Sequence, residues 1–208
     1  MLPFLELGVY LCFHEFMATI DMTPGTVVNE PRDDQGPSAA HLNWLRAGVL
    51  GANDGIVSVA AVVVGVAAAT SNNTLIIASG LAALVGGALS MALGEYVSVS
   101  SARDAQRASR VPVPADEIVN PWHAAIASAL AFVAGALLPF LAVIVVPGAW
   151  KIPVTVGAVL IALVLTGGTG ARLGGANVPR AITRVVVGGS LTLALTFAVG
   201  SLFGVTVA

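Results

Sequence analysis

The chain has 208 residues, 57% of them hydrophobic and only 10% charged, where a soluble domain carries about 25% charged residues. That balance excludes a soluble domain and indicates an all-α integral membrane protein. The net charge of −2 and the single cysteine, Cys12, point away from nucleic acid, an internal disulfide framework and any Cys-rich metal site.

Residues 1–37 read as a flexible N-terminal extension and residues 38–208 as one transmembrane domain. The apolar character of residues 1–20 is interrupted by Glu6, His14 and Glu15, and the basic start of a signal peptide is missing. An amphipathic surface helix is the alternative reading, and Met17 and Met22 are alternative starts. Pro24, Pro31, Pro37, Asp33 and Asp34 mark a linker.

Five apolar runs follow, each near the roughly twenty residues that cross a bilayer as a helix. They are Leu45–Ala69, Leu75–Val99, Ala124–Val146, Ile152–Ala171 and Ala181–Val207. Ser71 to Thr74 form a tight polar turn between the first two, and Ser100–Asn120 reads as a polar loop. Asn120-Pro121 supplies a cap residue and then proline at the first helical position of the third span. Pro147-Gly148 ends it. Segments 78–89 and 127–138 share an Ala-Ser-x-Leu-Ala pattern and a later Gly, read as compositional coincidence with an ancient repeat as the alternative.

Basic residues set the expected orientation. Arg32, Arg46, Arg103, Arg107, Arg110, Arg172, Arg180 and Arg184 fall on one side and Lys151 alone on the other. The N-terminus is therefore expected in the cytoplasm and the C-terminus across the membrane. Trp44 and Trp122 fall at the cytoplasmic interface and Trp150 at the opposite one. His41 and His123 read as interfacial residues. Gly51 and Gly55, Gly86 with Ser90 and Gly94, and Gly200 and Gly204 form small-residue ridges that let helices approach closely.

Of eleven acids, only Asp54 and Glu95 lie inside predicted spans. A carboxylate at such a depth costs roughly 2.5–3.5 kcal/mol on insertion scales, so it usually faces a partner, a cavity or an ion path. Asp54 is eight residues beyond Arg46, about 12 Å deep, and Glu95 is about 6 Å from the end of its span. Both occupy the cytoplasmic half. Met91 precedes Glu95 by one turn on the same face. Two carboxylates and a thioether form a mixed hard and soft donor set, suited to a transition metal better than to Mg²⁺ or Ca²⁺. Asn53, Ser58, Ser90 and Ser98 offer neutral oxygens. Carboxylates that take up protons as metal leaves would couple the two flows. The competing readings are a structural Asp54 at a helix break, a filler Met91, and a Glu95 that pairs with Arg103 or reaches water.

Leu45-Arg-Ala-Gly-Val-Leu-Gly-Ala-Asn-Asp-Gly-Ile-Val-Ser58 and Gly87-Ala-Leu-Ser-Met-Ala-Leu-Gly-Glu-Tyr-Val-Ser-Val-Ser-Ser101 resemble the two signature stretches of the vacuolar iron transporter family. Asn120-Pro-Trp-His-Ala-Ala-Ile-Ala-Ser-Ala-Leu-Ala-Phe132 resembles its third-span start. The resemblance covers roughly residues 41–208. It implies a homodimer that exports ferrous iron or manganese from the cytosol against protons, from the cell in bacteria or into the vacuole in plants and fungi. It associates Asp54, Met91 and Glu95 with the metal path, doubled around a shared central route; Asn53 and Ser90, read from the residues themselves, are the supporting oxygens. The metal is cargo, and no permanently bound cofactor is implied. Full-length members insert a long Glu-rich helical segment between spans two and three; here that connection is about twenty residues, with Asp104, Asp116 and Glu117 as its acids. A transporter rather than an enzyme is the leading expectation. The rivals are a degenerate, non-transporting scaffold and an uncoupled metal channel.

Overall fold

The computed structural model describes residues 39–108 and 120–207, without the side chains of 39–43 and 205–207. The expected N-terminal extension lies outside the described residues, as does the His41 side chain. Five long helices account for nearly all the rest: α1 Ala39–Ala69, α2 Asn73–Ala108, α3 Pro121–Val145, α4 Lys151–Leu173 and α5 Val178–Val207. All five are long and apolar enough to cross a membrane, and the described residues contain no strand. The chain is a multi-pass integral membrane protein, as its composition requires.

The punctuation in the sequence sets the helix ends. The Asn120 side chain accepts a hydrogen bond from the Trp122 N–H at 2.9 Å, with Pro121 at the first helical position. Asn72 does the same for α2, accepting from the backbone of Thr74 and Leu75 at 3.0 and 3.3 Å. After α3, Gly148 takes a φ of +64°, a left-handed conformation that favours glycine, and a short 3-10 turn at Gly148–Trp150 leads into α4. The Lys151 ammonium donates to Asn73 and ties this turn to the start of α2.

One expectation is corrected. The segment after Val99 is not loop from its start: α2 continues as helix through Ala108. At 1.5 Å per residue its 36 residues reach about 54 Å, well beyond a hydrocarbon core of about 30 Å. Hydropathy marks only where the apolar part ends. The polar extension holds its own exposed pair, Arg107 with Asp104 at 3.9 Å.

The organising element is α1, which packs against all four other helices. Around it the order is α2, α3, α4, α5, and no close backbone approach joins α2 to α5. The ring is open there. One apolar cluster sits between α1, α4 and α5, around Ile56, Val64, Val159, Leu163 and Leu193. A second lies between α1, α2 and α3, around Val59, Val63, Ile76 and Phe132. Lipid tails are as apolar as leucine, so burial from water does not drive these contacts; close packing does. The glycines show it. A Cβ added to Gly51 would meet the Ser128 backbone, one at Gly55 the Phe132 backbone, and one at Gly135 the Ala52 backbone. Gly200 makes the equivalent approach to Gly65 on α1, and Gly204 stands close to Ala69. The α1–α3 and α1–α5 crossings are thus glycine-mediated. The third ridge differs: among the described residues, nothing lies within 4 Å of a Cβ at Gly86 or Gly94.

Candidate metal path

Packing determines which face of α1 stays open. With α3 against Gly51 and Gly55, and α4 and α5 against Ile56 and Val64, Asp54 and Ser58, one turn apart, are left outside both apolar clusters, while Arg46 and Leu50, nearer the start of the helix, line a groove with Thr166, Gly167 and Val185 of α4 and α5. Asp54 is half-buried, and its Oδ1 accepts a hydrogen bond from the Ser58 hydroxyl at 2.8 Å. That bond orients one carboxylate oxygen and leaves the rest of the group's acceptor capacity for an incoming cation.

Two contacts fix the register of α1 against α2. Arg46 Nη2 lies 3.4 Å from Glu95 Oε2, and Val63 stands against Gly80. With the helices antiparallel, Asp54 is level with about residue 88 of α2. Met91 is then about 5 Å nearer the Arg46 end and Glu95 about 11 Å nearer it, by helical rise. The three predicted ligands form a ladder along the membrane normal, not one coordination sphere. Consistently, the described residues contain no group of three or more His, Cys, Asp or Glu able to hold a metal ion together.

Glu95 is buried and pairs with Arg46. The alternative pairing with Arg103 does not occur. Arg103 lies two turns further along α2 and its Nε is buried without a hydrogen-bond partner. Met91 is partly buried and packs against the cluster around Phe132, a position that also satisfies its reading as filler. Ser90 is exposed on the outer face of α2. Asn53 lies on the other side of α1 from Ser58. It lines a groove of about 340 Å³ between α1, α4 and α5, and its Oδ1 is buried with no partner.

Sequence reasoning missed two groups. Arg46 served only as an orientation marker, although its position at the start of span one and that of Glu95 at the end of span two make them neighbours in any tight antiparallel pair. Ser128 is fully buried with an unpartnered hydroxyl where α3 meets Gly51; no local pattern marks it. Trp122 is exposed beside Tyr96, with ring centroids 4.8 Å apart. It shares the Arg46 end with Trp44 and His123, the latter two lining one groove. His123 is exposed there, away from Asp54.

The VIT family matches residues 45–113 and 109–201. The chain is 46% identical over 186 residues to "Vacuolar iron transporter homolog 1" of Oryza sativa subsp. japonica, covering 84% of this chain and 80% of that one. It is 42% identical over 175 residues to homolog 2 of the same species, covering 79% and 93% respectively. With "Vacuolar iron transporter homolog 4" of Arabidopsis thaliana it shares 44% over 167 residues, 77% of this chain and 84% of the relative.

Proposed function

Because this chain belongs to the VIT family, we propose that it carries a divalent transition metal, ferrous iron or manganese, out of the cytosol in exchange for protons. The observation that carries the reading is Asp54: a half-buried acid inside the central membrane-spanning helix that belongs to neither of the apolar clusters packed around it. A carboxylate facing hydrocarbon there would be costly. A second copy of the chain that closes the opening between α2 and α5 removes that cost. It also sets two Asp54 side chains across a shared route. Metal would meet Glu95 first at the cytoplasmic mouth, then the Met91 level, then Asp54. Carboxylates at successive depths suit a hard divalent ion, and a thioether between them favours a softer one. With the N-terminus cytoplasmic, as the arginine distribution favours, the ladder begins on the cytosolic side.

The test is flux. Purified full-length protein in proteoliposomes should move Fe²⁺ or Mn²⁺ saturably, with Co²⁺ run beside them, and a lumenal pH dye should report protons moving the opposite way. Flux without a pH change would make it an uncoupled channel. No flux of any of the three metals would leave a membrane scaffold.

The dimer has its own signature. Gly86, Ser90 and Gly94 are exposed, and no described residue lies within 4 Å of a Cβ at Gly86 or Gly94, while the other two ridges each seat a neighbouring helix. Ser90→Cys in a Cys12→Ser background is expected to form a disulfide-linked dimer on mild oxidation. Ile161→Cys, on the exposed face of α4, is not. The reverse pattern would move the interface to the other side of the molecule.

A further inference from the structure

A groove of about 670 Å³ follows the seam where α3 and α4 meet α1. No glycine of α3 or α4 approaches the other of these two helices, so their seam lacks the close crossing that seals α1 against α3. The α1 wall runs from Trp44 to Ala52 and the α3 wall from His123 to Ala131, with Thr166 and Thr169 on α4. Eight residues of helix on either wall make the groove about 12 Å long. It begins at the Arg46 end and stops short of the bilayer centre, since half a hydrocarbon core is about 15 Å deep. Both threonine hydroxyls are spent on carbonyls of their own helix. Gly48 also lines the groove, and a Cβ there would meet no described residue within 4 Å.

At this depth the walls offer water too few polar partners to hold it. A second copy seated at the opening between α2 and α5 lies on the far side of the ring. A lipid tail from one leaflet matches the groove in polarity and in length. The mouth adds a sign. Arg172 follows Thr169 by three residues, one turn nearer the membrane surface on the same face of α4. It is exposed and has no ion-pair partner among the described residues. The helices α3, α4 and α5 contain no acid, and the one acid of α1, Asp54, does not line the groove. Trp44, exposed at the mouth, stands where aromatic side chains meet lipid headgroups.

We infer that this groove holds one acyl chain of an anionic phospholipid from the leaflet at the Arg46 end, with the lipid phosphate paired to Arg172. Arginine and phosphate form a strong charge-assisted pair. With the N-terminus cytoplasmic, this is the leaflet whose surface is made negative by anionic lipids. The site is separate from the metal ladder, because none of Asp54, Met91 and Glu95 lines it. The lipid completes the packing between α3 and α4 that the chain leaves undone.

The experiment is quenching of Trp44 fluorescence in the full-length protein carrying Trp122→Phe and Trp150→Phe, which leaves Trp44 as its only tryptophan. The protein is placed in phosphatidylcholine vesicles containing rising fractions of phosphatidylglycerol or phosphatidylcholine brominated in the half of each chain nearer the headgroup. Brominated phosphatidylglycerol is expected to quench at roughly five-fold lower fractions than brominated phosphatidylcholine, the weight of one arginine at a lipid surface. Arg172→Gln should bring the two lipids together, and Arg172→Lys should keep them apart. Gly48→Leu, which places a side chain in the groove, should erase the preference with Arg172 still present. Equal quenching by both lipids before these substitutions, or a preference that survives Gly48→Leu, overturns the site. A preference lost in Gly48→Leu but kept in Arg172→Gln overturns the headgroup assignment. Weak quenching by both lipids means that protein covers the seam, which also overturns the inference. Melting in detergent checks each variant; should Gly48→Leu not fold, Ala127→Leu on the α3 wall replaces it.

Discussion

Asp54→Asn is expected to reduce metal flux through proteoliposomes by at least about a hundred-fold, or some 2.7 kcal/mol of barrier, in a protein that still folds. The substitution keeps the side chain's shape and the oxygen that accepts from Ser58, so the helix loses only the charge. At this depth that charge has no substitute among the described residues: the next carboxylate, Glu95, is about 11 Å away along the helix axis. A divalent cation between the two mouths would then meet only neutral oxygens. Stability is expected to stay level or rise, since an acid inside a membrane helix costs roughly 2.5–3.5 kcal/mol on insertion scales. Flux close to the parent's, in protein shown to be folded by its melting curve, would remove Asp54 from the path.

Gly55→Ala should do the opposite, damaging the fold before the function. One methyl group there meets the backbone of Phe132, whose carbonyl carbon would lie 2.8 Å away. No rotamer change relieves a clash with backbone, so α1 and α3 must separate. Their other close approaches, Gly51 on Ser128 and Gly135 on Ala52, open with them. Overpacking of this kind costs typically 1–3 kcal/mol, and the gain in helix propensity from glycine to alanine returns only about 1 kcal/mol. A lower melting temperature in detergent and a lower yield are expected. Gly157→Ala, on α4 and outside the proposed dimer ridge, is the control, because no described residue lies within 4 Å of a Cβ there. Equal melting of Gly55→Ala and Gly157→Ala would contradict the α1–α3 crossing described above.

Much of this fold was legible because a bilayer restricts the choices. Backbone polar groups in hydrocarbon must be satisfied locally, so long apolar runs become helices. The runs from Leu45, Leu75, Ala124, Ile152 and Ala181 did so, with ends within a few residues except at the start of α1, which begins at Ala39, and the end of α2. Six of the nine residues added on α2 are polar, and helical backbone hydrogen bonding continues through Arg103 and Arg107. The site was legible in part. Asp54 and Glu95 stood out as acids in apolar surroundings, a one-residue signal. Their spacing along the normal did not, because it depends on the register of two helices, and that is fixed by contacts such as Arg46 with Glu95 and Val63 with Gly80. Ser128 gave no signal, since a serine in a Gly/Ala-rich helix looks the same whether it faces lipid or a neighbour. Gly86 and Gly55 looked alike as ridge members; only tertiary packing separates the one that is filled from the one that is not.

The position of α1 also bears on how the molecule is made. It is the most enclosed span, with 44% of its apolar window buried against 11% for α2 and 17% for α5, yet it is the first of the five to leave the ribosome. Until its partners are translated, the helix that carries Asp54, Asn53 and Arg46 must sit in the membrane with its glycine faces bare. α5, whose Gly200 closes on Gly65, arrives last. Assembly is therefore a matter of waiting: the centre is laid down first and the walls close around it in order of synthesis. A chain stalled after α4 would leave the α5 side of α1, with Gly65 at its centre, open to lipid.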